Sequence, residues 1–112
     1  MGTNDDAHHG PVLDEVVARV RRTVQPDRIV LFGSRARGQG RPGSDFDLLV
    51  VMPSTQPRYR RAGPVCTALA GLRAEADVVV YTPEEVGEWR EVPQAFVTTA
   101  LREGRVLYER RG

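Results

Sequence analysis

Apolar positions along the chain follow two rhythms. Val12, Leu13, Val16, Val17, Val20 and Val24 recur at helical spacing and predict an amphipathic helix opening at Pro11. Asp14 and Glu15 near its start, and Arg19, Arg21 and Arg22 near its end, complement the helix dipole. Pro26-Asp27 breaks it. The rhythm then changes. Arg28 to Phe32 is short and β-branched, so it predicts a strand, stopped by Gly33-Ser34. Residues 34–37 predict a short helical turn, and Gly38, Gly40, Pro42 and Gly43 predict an exposed loop. Asp45 to Met52 predicts a second strand. Its Leu48–Val51 half is apolar on both faces, which suits a central place in a sheet.

The remaining pattern is less regular. Arg58 to Arg73 predicts partial helix, with Gly63 and Pro64 as interruptions; Pro64 could instead open a helix through Val65, Leu69 and Leu72. Ala76 to Tyr81 predicts a third strand. Thr82-Pro83-Glu84-Glu85 predicts a capping box before a short helix through Trp89. Pro93 opens another helix, with Phe96, Val97, Ala100 and Leu101 on one face and Gly104 closing it. Arg105 to Glu109 predicts a last strand. The result is a single α/β domain with a mixed sheet of about four strands flanked by helices. It occupies residues 11–110 behind a flexible N-terminal tail, 1–10.

Composition narrows the function. At 112 residues the chain suits one domain, with 40% apolar residues for a core and 28% charged. No apolar run approaches a membrane span, and the N-terminus lacks a signal-peptide pattern. The lone Cys66 and the absence of zinc-type Cys/His spacing fit a reducing cytoplasm, and His8 and His9 read as solvated residues of the tail. A net charge of +1 argues against a dedicated nucleic-acid binder, although Arg58, Arg60 and Arg61 form a basic cluster. That cluster reads more simply as a solvated helix face.

The chemistry lies between Ile29 and Met52 and at Asp77. Asp45 and Asp47 are two apart on a strand, so both carboxylates leave one face of the sheet. Such a pair repels itself unless a cation sits between, and hard oxygen donors suit Mg²⁺ or Mn²⁺. The plain alternative is a strand end with two solvated aspartates. Asp77 opens a third apolar strand, where an acid needs a reason to stand, and would add a third carboxylate to the set. Three carboxylates can hold two metal ions. Gly33-Ser34 offers backbone N–H groups and a hydroxyl to an anion, with Arg35 and Arg37 nearby. A Walker-type loop is excluded, because Gln39-Gly40 stands where its Lys-Ser/Thr should follow Gly38.

In order, G-S-R-A-R-G, S-D-F-D-L-L-V-V and D-V-V-V-Y-T-P-E-E resemble the MNT-type (minimal nucleotidyltransferase) group of the nucleotidyltransferase superfamily, which has a polymerase-beta-like fold. The resemblance runs over roughly residues 11–110. It implies transfer of AMP from ATP with loss of pyrophosphate. Asp45, Asp47 and Asp77 would hold two Mg²⁺ ions (or Mn²⁺), Asp77 would assist deprotonation of the acceptor, and Gly33 and Ser34 would grip the phosphates. It also implies the role of antitoxin to a HEPN-family RNase toxin, modified on a tyrosine. Relatives that act on small molecules or nucleic acid carry an extra helical domain for the second substrate. Here the predicted elements take up nearly everything from Pro11 to Glu109, so the expectation is an acceptor site completed by another chain, in a homo- or hetero-oligomer. Two rivals stay open: a non-catalytic module that caps a toxin, and transfer to a small molecule or nucleic acid. Trp89 and Val86 are candidates for either a partner surface or local packing.

Overall fold

The computed structural model describes residues 10–32, 46–72, 76–92 and 96–110. Eight elements follow in the order helix, strand, strand, helix, strand, helix, helix, strand: α1 (Pro11–Thr23), β1 (Arg28–Phe32), β2 (Phe46–Val51), α2 (Arg58–Ala68), β3 (Ala76–Tyr81), α3 (Pro83–Trp89), α4 (Phe96–Glu103) and β4 (Arg105–Glu109). The strands form one sheet in the order β3-β2-β1-β4. β2 is central, as its two-sided apolar half requires. It pairs antiparallel with β1 and parallel with β3, and β4 closes the other side antiparallel to β1.

Alternation along the strands splits the core into two layers. Ile29, Leu31, Leu48, Val50 and Val80 point to one face, where Leu13, Val16 and Val20 of α1 and Val65 of α2 cover them. Val30, Leu49, Val51 and Tyr81 point to the other, beneath Val97 and Ala100 of α4. Fully burying a Val or Leu side chain contributes about 1.5–3 kcal/mol, so both layers are strongly specified by period alone. A one-residue slip of β2 would bury Asp47 among the first set.

α1 begins at Pro11, as its pattern predicts, and Asp14 N–H bonds the Gly10 carbonyl at 2.9 Å. Val24 is its C-cap, just outside the helix. α2 departs from expectation. It runs unbroken from Arg58 to Ala68 with Pro64 inside it. Proline lacks the N–H that would reach back four residues. The loss is offset by tertiary contacts: Arg61, Val65 and Leu69, spaced by four, all face the core and are buried. Nη1 of Arg19 on α1 also donates to the Ala70 carbonyl at 2.8 Å, just past the end of α2.

The capping box at Thr82 forms in full. Glu85 N–H donates to Thr82 Oγ1 at 3.2 Å, and Thr82 N–H to Glu85 Oε1 at 3.0 Å. α4 is described from Phe96, and the proposed start at Pro93 lies outside the described residues. Gly104 ends α4 for a steric reason. A Cβ there would collide with the Ala100 carbonyl and with Val30 Cγ1, and would sit 2.9 Å from the Leu31 carbonyl. Only glycine lets the chain turn from α4 straight into β4 at that distance from β1.

Candidate active site

Three strand ends meet at one end of the sheet: the C-terminal end of β1 and the N-terminal ends of β2 and β3. Register brings Asp47 opposite Phe32 on one side and Asp77 on the other. Neighbouring strands lie about 4.8 Å apart, and side chains in register leave the same face, so the two carboxylates stand side by side. That face is the one covered further along by α4, since Leu49, Val51 and Tyr81 share it. Register thus sets Asp77 beside Asp47 on one face of the sheet. Asp47 is half-buried and Asp77 is exposed, so the pair opens toward solvent.

The first aspartate of the pair, Asp45, lies outside the described residues, as do Gly33, Ser34, Arg35 and Arg37 and the tail through residue 9. Among the described residues no group of three His, Cys, Asp or Glu forms a metal-holding cluster. Two carboxylates in register are hard oxygen donors of the kind that bind Mg²⁺ or Mn²⁺, so the part of the predicted donor set that is described fits a divalent ion.

A cavity of about 250 Å³ lies near this end of the sheet, lined by Leu13, Leu31, Phe46 and Arg105 among others. Leu31 and Phe46 belong to the α1 side of the core. The cavity is thus on the opposite face from Asp47 and Asp77 and is not the carboxylate site.

The basic cluster of α2 resolves differently from either reading of it as a unit. Arg61 is only 9% exposed and forms a two-point contact with Glu85, Nη1 to Oε1 at 2.7 Å and Nη2 to Oε2 at 3.1 Å. Its Nε donates to the Gln56 carbonyl at 2.9 Å. Arg58 stacks over the Tyr81 ring at 4.6 Å and lies 3.9 Å from Glu85. Arg61 is a structural tie and not a solvated or nucleic-acid-facing residue. The signal was readable in principle, since Arg61 stands four before Val65 on the core stripe. The Arg61 hydrogen bonds hold the Glu85 carboxyl below the ordinary glutamate range; partial burial opposes this and the Thr82 N–H adds to it. Of the two α3 residues proposed for a partner surface, Val86 packs against the α4-side core, whereas Trp89 is 40% exposed.

The sequence matches the model of the nucleotidyltransferase domain over residues 13–108. The chain belongs to the nucleotidyltransferase domain family. Solved structures carry the same fold at low identity. A toxin-antitoxin with AMP-PNP superposes with a TM-score of 0.64 at 19% identity, covering 88% of this chain and 74% of that one. A mutant of the toxin-antitoxin MntA-HpeT gives 0.61 at 18% identity, with 88% and 74% covered. The toxin-antitoxin MntA-HepT gives 0.57 at 17% identity, with 88% and 71% covered. No curated protein matches the sequence. The nucleotidyltransferase family and the four-stranded mixed-sheet fold expected from the motifs are both met. Among the described residues no helix is long and apolar enough to cross a membrane.

Proposed function

We propose that this nucleotidyltransferase moves AMP from ATP to a hydroxyl, a tyrosine by preference, of a partner HEPN-family toxin, and so acts as its antitoxin in the cytoplasm. The observation that carries the reading is the in-register pair Asp47 and Asp77 on one face of adjacent parallel strands. The toxin partner is supported by the solved structures of like fold, which are toxin-antitoxin complexes, one of them with AMP-PNP.

Asp45, Asp47 and Asp77 would hold two divalent ions, Mg²⁺ in the first instance, which when bound neutralise triphosphate charge and lower the pKa of an attacking hydroxyl. The chain supplies the rest. Gly33 backbone and the Ser34 hydroxyl hold the β- and γ-phosphates, and Arg35 and Arg37 add positive charge against the same anion. The acceptor oxygen attacks the α-phosphorus, the bond to the bridging oxygen breaks, and pyrophosphate leaves. The hydroxyl proton passes to the Asp77 carboxylate, whose exposure leaves it reachable by an incoming chain.

The test is incubation of the purified chain with α-labelled ATP, Mg²⁺ and the protein encoded by the neighbouring gene. Label on that protein, lost in the Asp45→Ala/Asp47→Ala variant, is the expected result. Binding without label would replace the reading with a non-catalytic capping module. Label on a small molecule or nucleic acid in place of the protein would overturn the choice of acceptor.

A further inference from the structure

The two edges of the sheet are treated differently, and the difference falls beside the carboxylates. β4 has the features of a protected edge: a register shift opposite Ile29/Val30, and a charge at each end, Arg105 and Glu109. A bulge and charged side chains are what keep an edge strand from pairing with another chain. β3 has neither. Its register with β2 is unbroken over six residues, and A-D-V-V-V-Y carries one charge, Asp77 itself. An apolar edge of regular register is a template for another strand.

Its backbone shows which groups are on offer. The Met52 N–H donates to the Tyr81 carbonyl at 3.0 Å, so the Tyr81 peptide groups face β2. Alternation turns those of Val79 and Asp77 the same way and those of Val78 and Val80 outward. The outward Val80 carbonyl meets Arg61 Nη1 at 3.4 Å, which shields the end of the edge far from the carboxylates. Val78, next to Asp77, has no outward partner among the described residues. Among the described residues, the edge is closed at its far end and open at its carboxylate end.

We propose that the toxin partner engages this edge by strand addition, laying an extended segment along β3 so that its acceptor hydroxyl arrives beside Asp77. Residues opposite one another on paired strands have Cβ atoms about 4.5–5.5 Å apart, so the pairing delivers a side chain to the carboxylates without a dedicated pocket. Main-chain hydrogen bonds supply the contact. The inference rests on the proposed protein acceptor and adds where that acceptor binds.

The experiment follows the Val78 amide of the ¹⁵N-labelled chain by hydrogen exchange, alone and with the neighbouring-gene protein at saturation. Exchange at Val78 is expected to slow by at least about tenfold in the complex, with smaller changes on β4. In parallel, Val78→Pro removes the outward N–H at an edge position, where proline is tolerated, and its fold is checked by circular dichroism. A folded variant is expected to lose at least about tenfold in label on the partner. Unchanged Val78 exchange in the complex overturns the proposal, as does wild-type labelling by the folded variant. If the variant does not fold, the exchange measurement on the unmodified chain decides alone. Protection that grows with the chain's own concentration, without partner, would assign the edge to a second copy and also overturn it. Partner labelling without Val78 protection removes this inference and leaves the transfer reading standing. Absence of any binding removes both.

Discussion

Replacing Arg61 with alanine tests how the far end of the sheet is held. The guanidinium is buried and makes hydrogen bonds to Glu85, to the Gln56 carbonyl and, at 3.4 Å, to the Val80 carbonyl. Removing one partner of a buried pair costs about 3–5 kcal/mol, because the other charge is left without compensation. Glu85 is 21% exposed, keeps the Thr82 N–H and has Arg58 at 3.9 Å. The expected loss is therefore smaller, about 2–3 kcal/mol, or a fall in melting temperature of roughly 8–15 °C for a domain of this size. Thermal and urea unfolding measure it, and a double-mutant cycle with Glu85→Ala isolates the pair, with a coupling of about 1–3 kcal/mol. The pH dependence carries a second check. The folded state holds the Glu85 proton less tightly than the unfolded chain does, so the pair's contribution is complete above the ordinary glutamate range. It drains away as pH falls through the depressed folded value. Arg61→Ala should flatten that acid limb. A variant that melts within about 2 °C of the parent, with an unchanged acid limb, would show that the contact contributes nothing.

Gly104→Ala should cost about 1–3 kcal/mol in urea unfolding, since its methyl group meets two backbone carbonyls and Val30 with no flexible side-chain end to give way. Thr82→Ala removes the side-chain half of the capping box, and a loss of about 1 kcal/mol is expected by the same assay. Asp77→Asn keeps the side chain's shape and removes its charge. The thermal midpoint should move by less than about 3 °C, because Asp77 is exposed, while the rate of label transfer falls by at least about a hundredfold.

The strands were legible because period two and β-branching left little choice. β1, β3 and β4 fall where the pattern puts them, and the apolar run Leu48–Val51 announced the central strand. The Asp47–Asp77 neighbourhood was legible for a related reason. Asp77 opens an apolar strand, and alternation puts it on the Asp47 face once β3 lies beside β2 in the observed register. α2 was not legible. Its local sequence offers Gly63 and Pro64 where a helix wants neither, and what holds it is packing of Arg61, Val65 and Leu69 against strands distant in sequence. Arg61 was misread for the same reason, because its acid partner stands 24 residues away.

Three ion pairs and the proposed carboxylate site lie at opposite ends of the sheet. The ion pairs Arg28–Glu109, Arg110–Asp27 and Arg61–Glu85 all fall where β1 begins and β3 ends. Asp47 and Asp77 stand at the other end. An arginine paired to a carboxylate satisfies the charge a divalent ion would otherwise neutralise, so cross-strand arginine ties at the carboxylate end would compete with metal and triphosphate. These three ties hold the strands in register from the far end. Losses of stability at Arg61 or Thr82 should accordingly leave the affinity of the folded protein for Mg²⁺-ATP unaltered, whereas any change that shifts β3 against β2 should abolish transfer, because it parts Asp77 from Asp47.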